Sequence, residues 1–147
     1  MYLEELKKGT VIKTEPAKIV KERMLEFARL YDNIPLHTDE EYARGTIFGG
    51  LIAPGVMSFM TVWAKYLEKD LFGSELIAGK STKIEWLKPV YPDDTLTAEV
   101  EVTDITPRNE KSGTVALTLK AYNQNGVLVL TNVTEAIVKR KLENKET

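Results

Sequence analysis

From Pro54 to about Leu71 the chain favours helix, and Val56, Met57, Phe59, Met60, Val62, Trp63, Ala64 and Leu67 leave the first three turns almost no polar face. A helix that is apolar nearly all round must be surrounded by protein. Only Lys65, Glu68, Lys69 and Asp70 suggest that its far end emerges. Pro54 suits the first turn, where its missing N–H costs nothing. A bilayer span needs about 20 predominantly apolar residues. The apolar stretch here is broken by Gly49-Gly50, Pro54-Gly55, Ser58 and Thr61. It therefore reads as a buried helix and its approach, which needs a cover.

Strands supply the cover. After Gly79 the hydrophobic period becomes two. Ile84 and Trp86 alternate with Lys83 and Glu85; Leu96, Ala98, Val100 and Val102 with Thr95, Thr97, Glu99 and Glu101; and Val115, Leu117, Leu119 and Ala121 with Thr114, Thr118 and Lys120. Residues 127–138 form a last long strand, and Asn125-Gly126 before it is a hairpin signal. Upstream, residues 11–20 predict a strand that Pro16 confines to an edge or a bend. Val20, Met24, Phe27, Ala28 and Tyr31 then recur at helical spacing. One buried helix followed by antiparallel strands is an α+β pattern. A chain of 147 residues has room for one domain, spanning 1–147, with one continuous core.

Charge and cysteine narrow the function classes. Formal net charge is -2, with both signs mixed along the chain, so no segment reads as a nucleic-acid arm. The run Lys139-Arg140-Lys141 reads as solvated. With no cysteine there is no disulfide framework, no thiolate-zinc site and no thiol nucleophile. The first residues alternate in charge and carry no apolar signal-peptide core. A cytoplasmic protein that binds neither nucleic acid nor membrane is the expectation.

The only histidine sits in Asp32-Asn33-Ile34-Pro35-Leu36-His37-Thr38-Asp39, a polar stretch flanked by carboxylates. Helix must end near Asp32, because Pro35 disfavours helical geometry at Ile34. Thr38 to Glu41 matches a capping box, which predicts a short helix over 39–44 with Gly45 as its stop. Asp39, in the first turn of that helix, reads as structural. Next come Phe48-Gly49-Gly50-Leu51-Ile52-Ala53-Pro54-Gly55 and the central helix.

Residues Tyr31 to Arg44, followed by Phe48 to Gly55, resemble the hydratase motif of MaoC-like dehydratases, hot-dog proteins that include R-specific enoyl-CoA hydratases. The similarity extends over nearly the whole chain, including Lys88-Pro89-Val90-Tyr91-Pro92-Asp93-Asp94. It departs at two places: Ile34 precedes the motif proline, and Pro54 precedes Gly55 where many members carry histidine. The resemblance implies a hot-dog domain, an antiparallel sheet wrapped around the apolar helix. It implies a hydro-lyase that adds water to a trans-2-enoyl thioester, linked to CoA or a carrier protein, to give an (R)-3-hydroxyacyl thioester. Asp32 and His37 fall on the family's catalytic pair, and the backbone amide at Gly55 on its oxyanion donor. No metal and no cofactor beyond the thioester substrate is implied, and a homodimer is.

The residue chemistry agrees. Hydration needs a base for water, an acid for the α-carbon and donors for the enolate oxygen. An aspartate and a histidine can hold one water between them, and free amides at a helix N-terminus favour negative charge. Other residues keep two readings. Gly49 and Gly50 make a tight turn or line the substrate pocket. Met57 and Met60 pack the core or floor an acyl pocket. Ser58 or Thr61 steadies the catalytic pair or bonds its own backbone. A serine triad lacks its G-x-S-x-G element, and a zinc site would lack ligands beyond carboxylates. Two other functions stay open: a hot-dog acyl-CoA thioesterase, and a non-catalytic acyl-CoA-binding or partner subunit.

Overall fold

The computed structural model describes residues 1–142. Two short strands, β1 (Val11–Lys13) and β2 (Ala17–Lys18), lead into helix α1 (Lys21–Tyr31). Two short helices follow, α2 (Pro35–Thr38) and α3 (Glu40–Arg44), and then the central helix α4 (Gly55–Leu67). Four long strands complete the domain: β3 (Leu76–Trp86), β4 (Thr95–Pro107), β5 (Ser112–Tyr122) and β6 (Leu128–Lys139). Every strand pairing is antiparallel, in the order β1-β4-β5-β6-β3, with β2 on a separate stretch of β4. Pro16 explains the break between β1 and β2: it has no N–H to give the ladder, and the strand bends there.

The inner face of the sheet carries Leu96, Ala98, Val100 and Val102 from β4 and Val115, Leu117, Leu119 and Ala121 from β5, all buried. They pack with Met57, Phe59, Val62 and Tyr66 of α4 in one hydrophobic core. Each large side chain so buried contributes roughly 1.5–3 kcal/mol. The helix is shorter and less enclosed than its composition predicts. It ends at Leu67, and Val56, Met60 and Leu67 stand about half exposed. With half-buried Trp63 they form a stripe at positions i, i+4, i+7 and i+11, one side of the helix that the single chain does not cover.

On the inner face of β3 and β6, Asn132 and Thr134 are buried polar side chains. Asn132 donates to Thr82 Oγ1 (2.7 Å) and to the Lys83 carbonyl (3.0 Å), and accepts from Thr134 (2.8 Å). Their hydrogen-bonding capacity is met within the sheet, as burial requires.

Two local expectations need correction. Thr38 does not cap α3. Pro35 starts a helical turn of its own, Thr38 ends it, and the threonine hydroxyl donates to the Ile34 carbonyl at 3.1 Å. Asp39 is the N-cap, its carboxylate accepting from the Tyr42 amide at 3.1 Å. Nor is the basic run at 139–141 merely solvated. Arg140 pairs with Glu4 at 2.9 Å and donates to the Asn109 carbonyl, which fastens the end of β6 to the N-terminal segment. The hairpin before β6 forms as expected, with Gly126 at φ 73°.

The turn into β4 rests on two aspartates. Buried Asp94 accepts from the Tyr91 amide and from Gln124 Nε2, both at 2.9 Å. Asp93 sits at φ 70°, where a side chain crowds the backbone. Asp94→Ala leaves two donors unpaired and should destabilise by about 1–3 kcal/mol in urea unfolding. Asp93→Val should cost about 1–2 kcal/mol, while Asp93→Gly should hold or raise the midpoint; the exposed Lys18–Asp93 pair at 3.5 Å adds little to either change. Burial raises the Tyr66 hydroxyl from 10.0 to about 12. Its neutral form is favoured in the fold, so that contribution is full below the unfolded value near 10 and lost as pH rises through 12. Ultraviolet titration of the folded chain should show a late phenolate phase that Tyr66→Phe removes.

Candidate active site

Three chain segments build the site. The first is the end of α1. Asp32 is its C-cap, with its amide bonded to the Ala28 carbonyl at 2.9 Å, so the carboxylate leaves the helix where the chain turns. Extended backbone at Ile34 (φ -122°, ψ 151°) then lets Pro35 open α2. His37 therefore lies on a helical turn rather than in an open polar loop, and it is buried. The second segment is the approach to α4. Its Ala53 amide is held by the Val90 carbonyl at 2.7 Å, and its Ile52 carbonyl meets His37 Nδ1 at 2.7 Å. The third is the chain from Trp86 to Val90, between β3 and β4.

The hydrogen bonds decide which ring nitrogen carries the proton. A carbonyl only accepts, so His37 Nδ1 is the N–H donor. Nε2 is left facing Asp32 Oδ2 at 3.2 Å. The side chain of Asp32 is 42% exposed and that of His37 only 7%. Water therefore reaches the aspartate freely and the histidine from the cavity side.

A cavity of about 300 Å³ is lined by Asp32, His37, Gly55, Ser58, Trp86 and Lys88, with Ile52, Ala53, Val56, Pro89 and Val90 as apolar wall. Gly55 is the first residue of α4, after Pro54. The amides of Gly55, Val56 and Met57 have no backbone acceptor among the described residues, whereas Ser58 bonds back to Pro54. The cavity thus opens on the positive end of the buried helix. Asp32, His37 and Gly55, singled out from sequence, share one space.

Other candidates fall elsewhere. Gly49 and Gly50 are not among the cavity residues; Gly49 has φ 69° and turns the chain. Met57 packs in the core and Met60 is on the exposed stripe. Ser58 lines the cavity, but its hydroxyl donates to the Pro54 carbonyl (3.4 Å) and Thr61 to that of Met57 (2.8 Å). Both bond their own helix rather than the pair. Sequence reasoning missed Trp86 and Lys88 as cavity residues. Trp86 reads as one more alternating strand residue, and the alternation does point it inward: it pairs with Leu130, on the same side as Ile84 opposite Asn132. Tyr91 was missed too. Its hydroxyl donates to the Phe48 carbonyl at 2.8 Å and ties the glycine turn to the cavity rim. No three side chains of metal-ligating type converge among the described residues.

With this geometry in hand, known proteins can be set beside it. Residues 5–124 match the family described as MaoC like domain. An (R)-specific enoyl-CoA hydratase of Aeromonas caviae is 33% identical over 77% of this chain and 80% of its own. The structure of a monoamine oxidase regulatory protein from Archaeoglobus fulgius superposes with TM-score 0.91 at 34% identity, covering 96% of this chain and 95% of that one. A MaoC-like dehydratase from Rhodospirillum rubrum superposes with TM-score 0.88 at 28% identity, over 97% and 99%. The sheet wrapped on α4 is the hot-dog fold. The chain belongs to the MaoC-like dehydratase family, to which the (R)-specific enoyl-CoA hydratases are related.

Proposed function

We propose that this protein adds water reversibly to a trans-2-enoyl thioester, giving an (R)-3-hydroxyacyl thioester. One observation carries the reading: an Asp32–His37 pair with one ring nitrogen already committed opens on the same cavity as the free first amides of α4. Water bound between the carboxylate and Nε2 loses a proton to the pair. The resulting hydroxide adds to the β-carbon, and electrons move onto the thioester oxygen. That oxygen meets the Gly55 amide, where the helix end favours negative charge. The pair then returns a proton to the α-carbon from the same side, which makes the addition syn. The acyl group is carried on CoA or on a carrier protein, as in the reactions of related hydratases.

The assembly follows from two uncovered surfaces. β3 is the long edge strand of the sheet, unpaired on its outer side among the described residues. The α4 stripe meets it at both ends, since Trp63 and Leu67 line a cavity of about 260 Å³ with Leu76 and Gly79, and Val56 lines the catalytic cavity with Trp86. A long unpaired edge beside an apolar stripe calls for a partner. A second copy related by a two-fold axis covers both and brings the cavity close to the interface. Sedimentation at micromolar concentration should give a dimer or larger; a compact monomer counts against this arrangement.

The pair is tested directly. Asp32→Asn and His37→Ala, each with an unchanged circular dichroism spectrum, should lower hydration of crotonyl-CoA by roughly 10²-fold or more, the worth of a positioned acid or base. The double variant should resemble the worse single one, because the two groups work as a unit. Asp39→Asn keeps the cap on the Tyr42 amide and should turn over near normally. A panel with octenoyl- and mesaconyl-CoA, read by loss of the enoyl absorbance, reports chain length and branching. Release of free CoA thiol in its place would favour a thioesterase, and neither change a binding subunit. Wild-type rates in both Asp32→Asn and His37→Ala would make the pair structural and end the hydratase reading.

A further inference from the structure

We propose that Trp86 is a second oxyanion donor: its indole N–H bonds the thioester oxygen beside the Gly55 amide as that oxygen takes up negative charge. The proposal rests on the hydratase reading for its reaction, but the donor pair is a property of the cavity itself. Trp86 ends β3 on the inner face of the sheet, opposite Leu130. It is 54% exposed and lines the cavity that holds Asp32, His37 and Gly55.

Its ring lies against the first residue of α4. A methyl group built on Gly55 would overlap Trp86 Cε2, Nε1 and Cδ2. Those three atoms run from the pyrrole nitrogen into the fused bond of the indole. A group that meets all three stands over the ring face, near its nitrogen side. Glycine is therefore required at 55 by the indole. The same packing brings Nε1 beside the start of α4, where the Gly55 amide is open. The side-chain hydrogen bonds on this face of β3 run through Thr82, Asn132 and Lys83 and leave the indole N–H out. Indole is a donor only, and the N–H of a half-exposed ring on the wall of a cavity, with no hydrogen-bond partner among the described residues, can meet an acceptor that enters.

Hydration creates that acceptor. When hydroxide forms its bond to the β-carbon, the π electrons of the double bond shift and the thioester carbonyl becomes an enolate. When the α-carbon takes its proton, the carbonyl reforms. Donors already fixed around the oxygen stabilise the enolate more than the ground state, and removal of one such donor typically lowers kcat by about 10²–10³-fold. The face of the ring holds the helix end, and its N–H edge supplies the donor.

The test uses the full-length chain and two substitutions. Trp86→Phe keeps an aromatic ring and loses the N–H, while Trp86→His restores a ring N–H on a smaller frame. Acetoacetyl-CoA is the probe, because its enolate absorbs in the ultraviolet and forms without turnover. The wild type should raise the enolate fraction on binding. Trp86→Phe should cut the apparent enolisation constant by about 10²-fold, with butyryl-CoA affinity, which involves no enolate, within a factor of about two. Trp86→His should recover at least part of the loss, and kcat for crotonyl-CoA should follow the same order. An enolate signal in Trp86→Phe equal to wild type, or no enolate on binding to the wild type, overturns the proposal. The hydratase reading is judged separately: an enolate signal that depends on Trp86 without hydration of any enoyl-CoA leaves the donor standing and removes the reaction. Hydration at an undiminished rate in Trp86→Phe does the reverse.

Discussion

Burial of α4 against the sheet produces both the core and the cavity at the helix N-terminus. The helix contributes Met57, Phe59, Val62 and Tyr66 to the core. A helix cannot satisfy its own first amides, so burying its body leaves a polar end that something must meet. Here Pro54 removes one N–H from the problem and the remaining amides open on a cavity. The fold is thus incomplete at one point, and the unsatisfied point is where an electron-rich oxygen fits.

The Asp32–His37 pair depends on a second constraint, the proline between its members. Pro35 stops α1 from continuing, so Asp32 leaves as a cap and His37 begins again on a new turn. Were the helix unbroken, residues five apart would point in different directions around it. The Ile52 carbonyl then fixes the imidazole from behind. That carbonyl belongs to the segment that enters α4, so the Asp32–His37 pair and the open Gly55 amide are held by the same few residues.

Much of this was legible in the chain. Period-two alternation found the faces of β4, β5 and the end of β3, because one side of a strand must be buried; for β6 only the strand itself was legible. The stretch from Asp32 to His37 stands out through its resemblance to the hydratase motif, since a lone histidine in a polar stretch is by itself an ordinary surface residue; Asp39, which reads as structural, caps α3. The misses share a cause. Thr38 and Asp39 are both good caps, and only the register set by the turn at Pro35 chooses between them. Trp86 looks like any inward strand residue until β3 is laid beside β6 and its ring found over Gly55. Arg140 meets Glu4 from the far end of the chain. The exposed stripe of α4 could not be foreseen because composition says that a helix needs cover, not which chain provides it.

The bonds that join Thr82 to the buried Asn132 and Thr134 acquire a meaning beyond hydrogen-bond satisfaction. A sheet edge made only of aliphatic side chains has several alignments of similar energy. Here a slip of two residues, the smallest that keeps the faces, would in either direction part Thr82 from Thr134, which face each other across the two strands with their hydroxyls 2.9 Å apart. The same slip would carry the Trp86 indole about 6.5 Å along the strand, away from Gly55. The trio therefore works as a detent on the edge strand: it sets the position of an indole at the other end of β3, several residues away and without touching it.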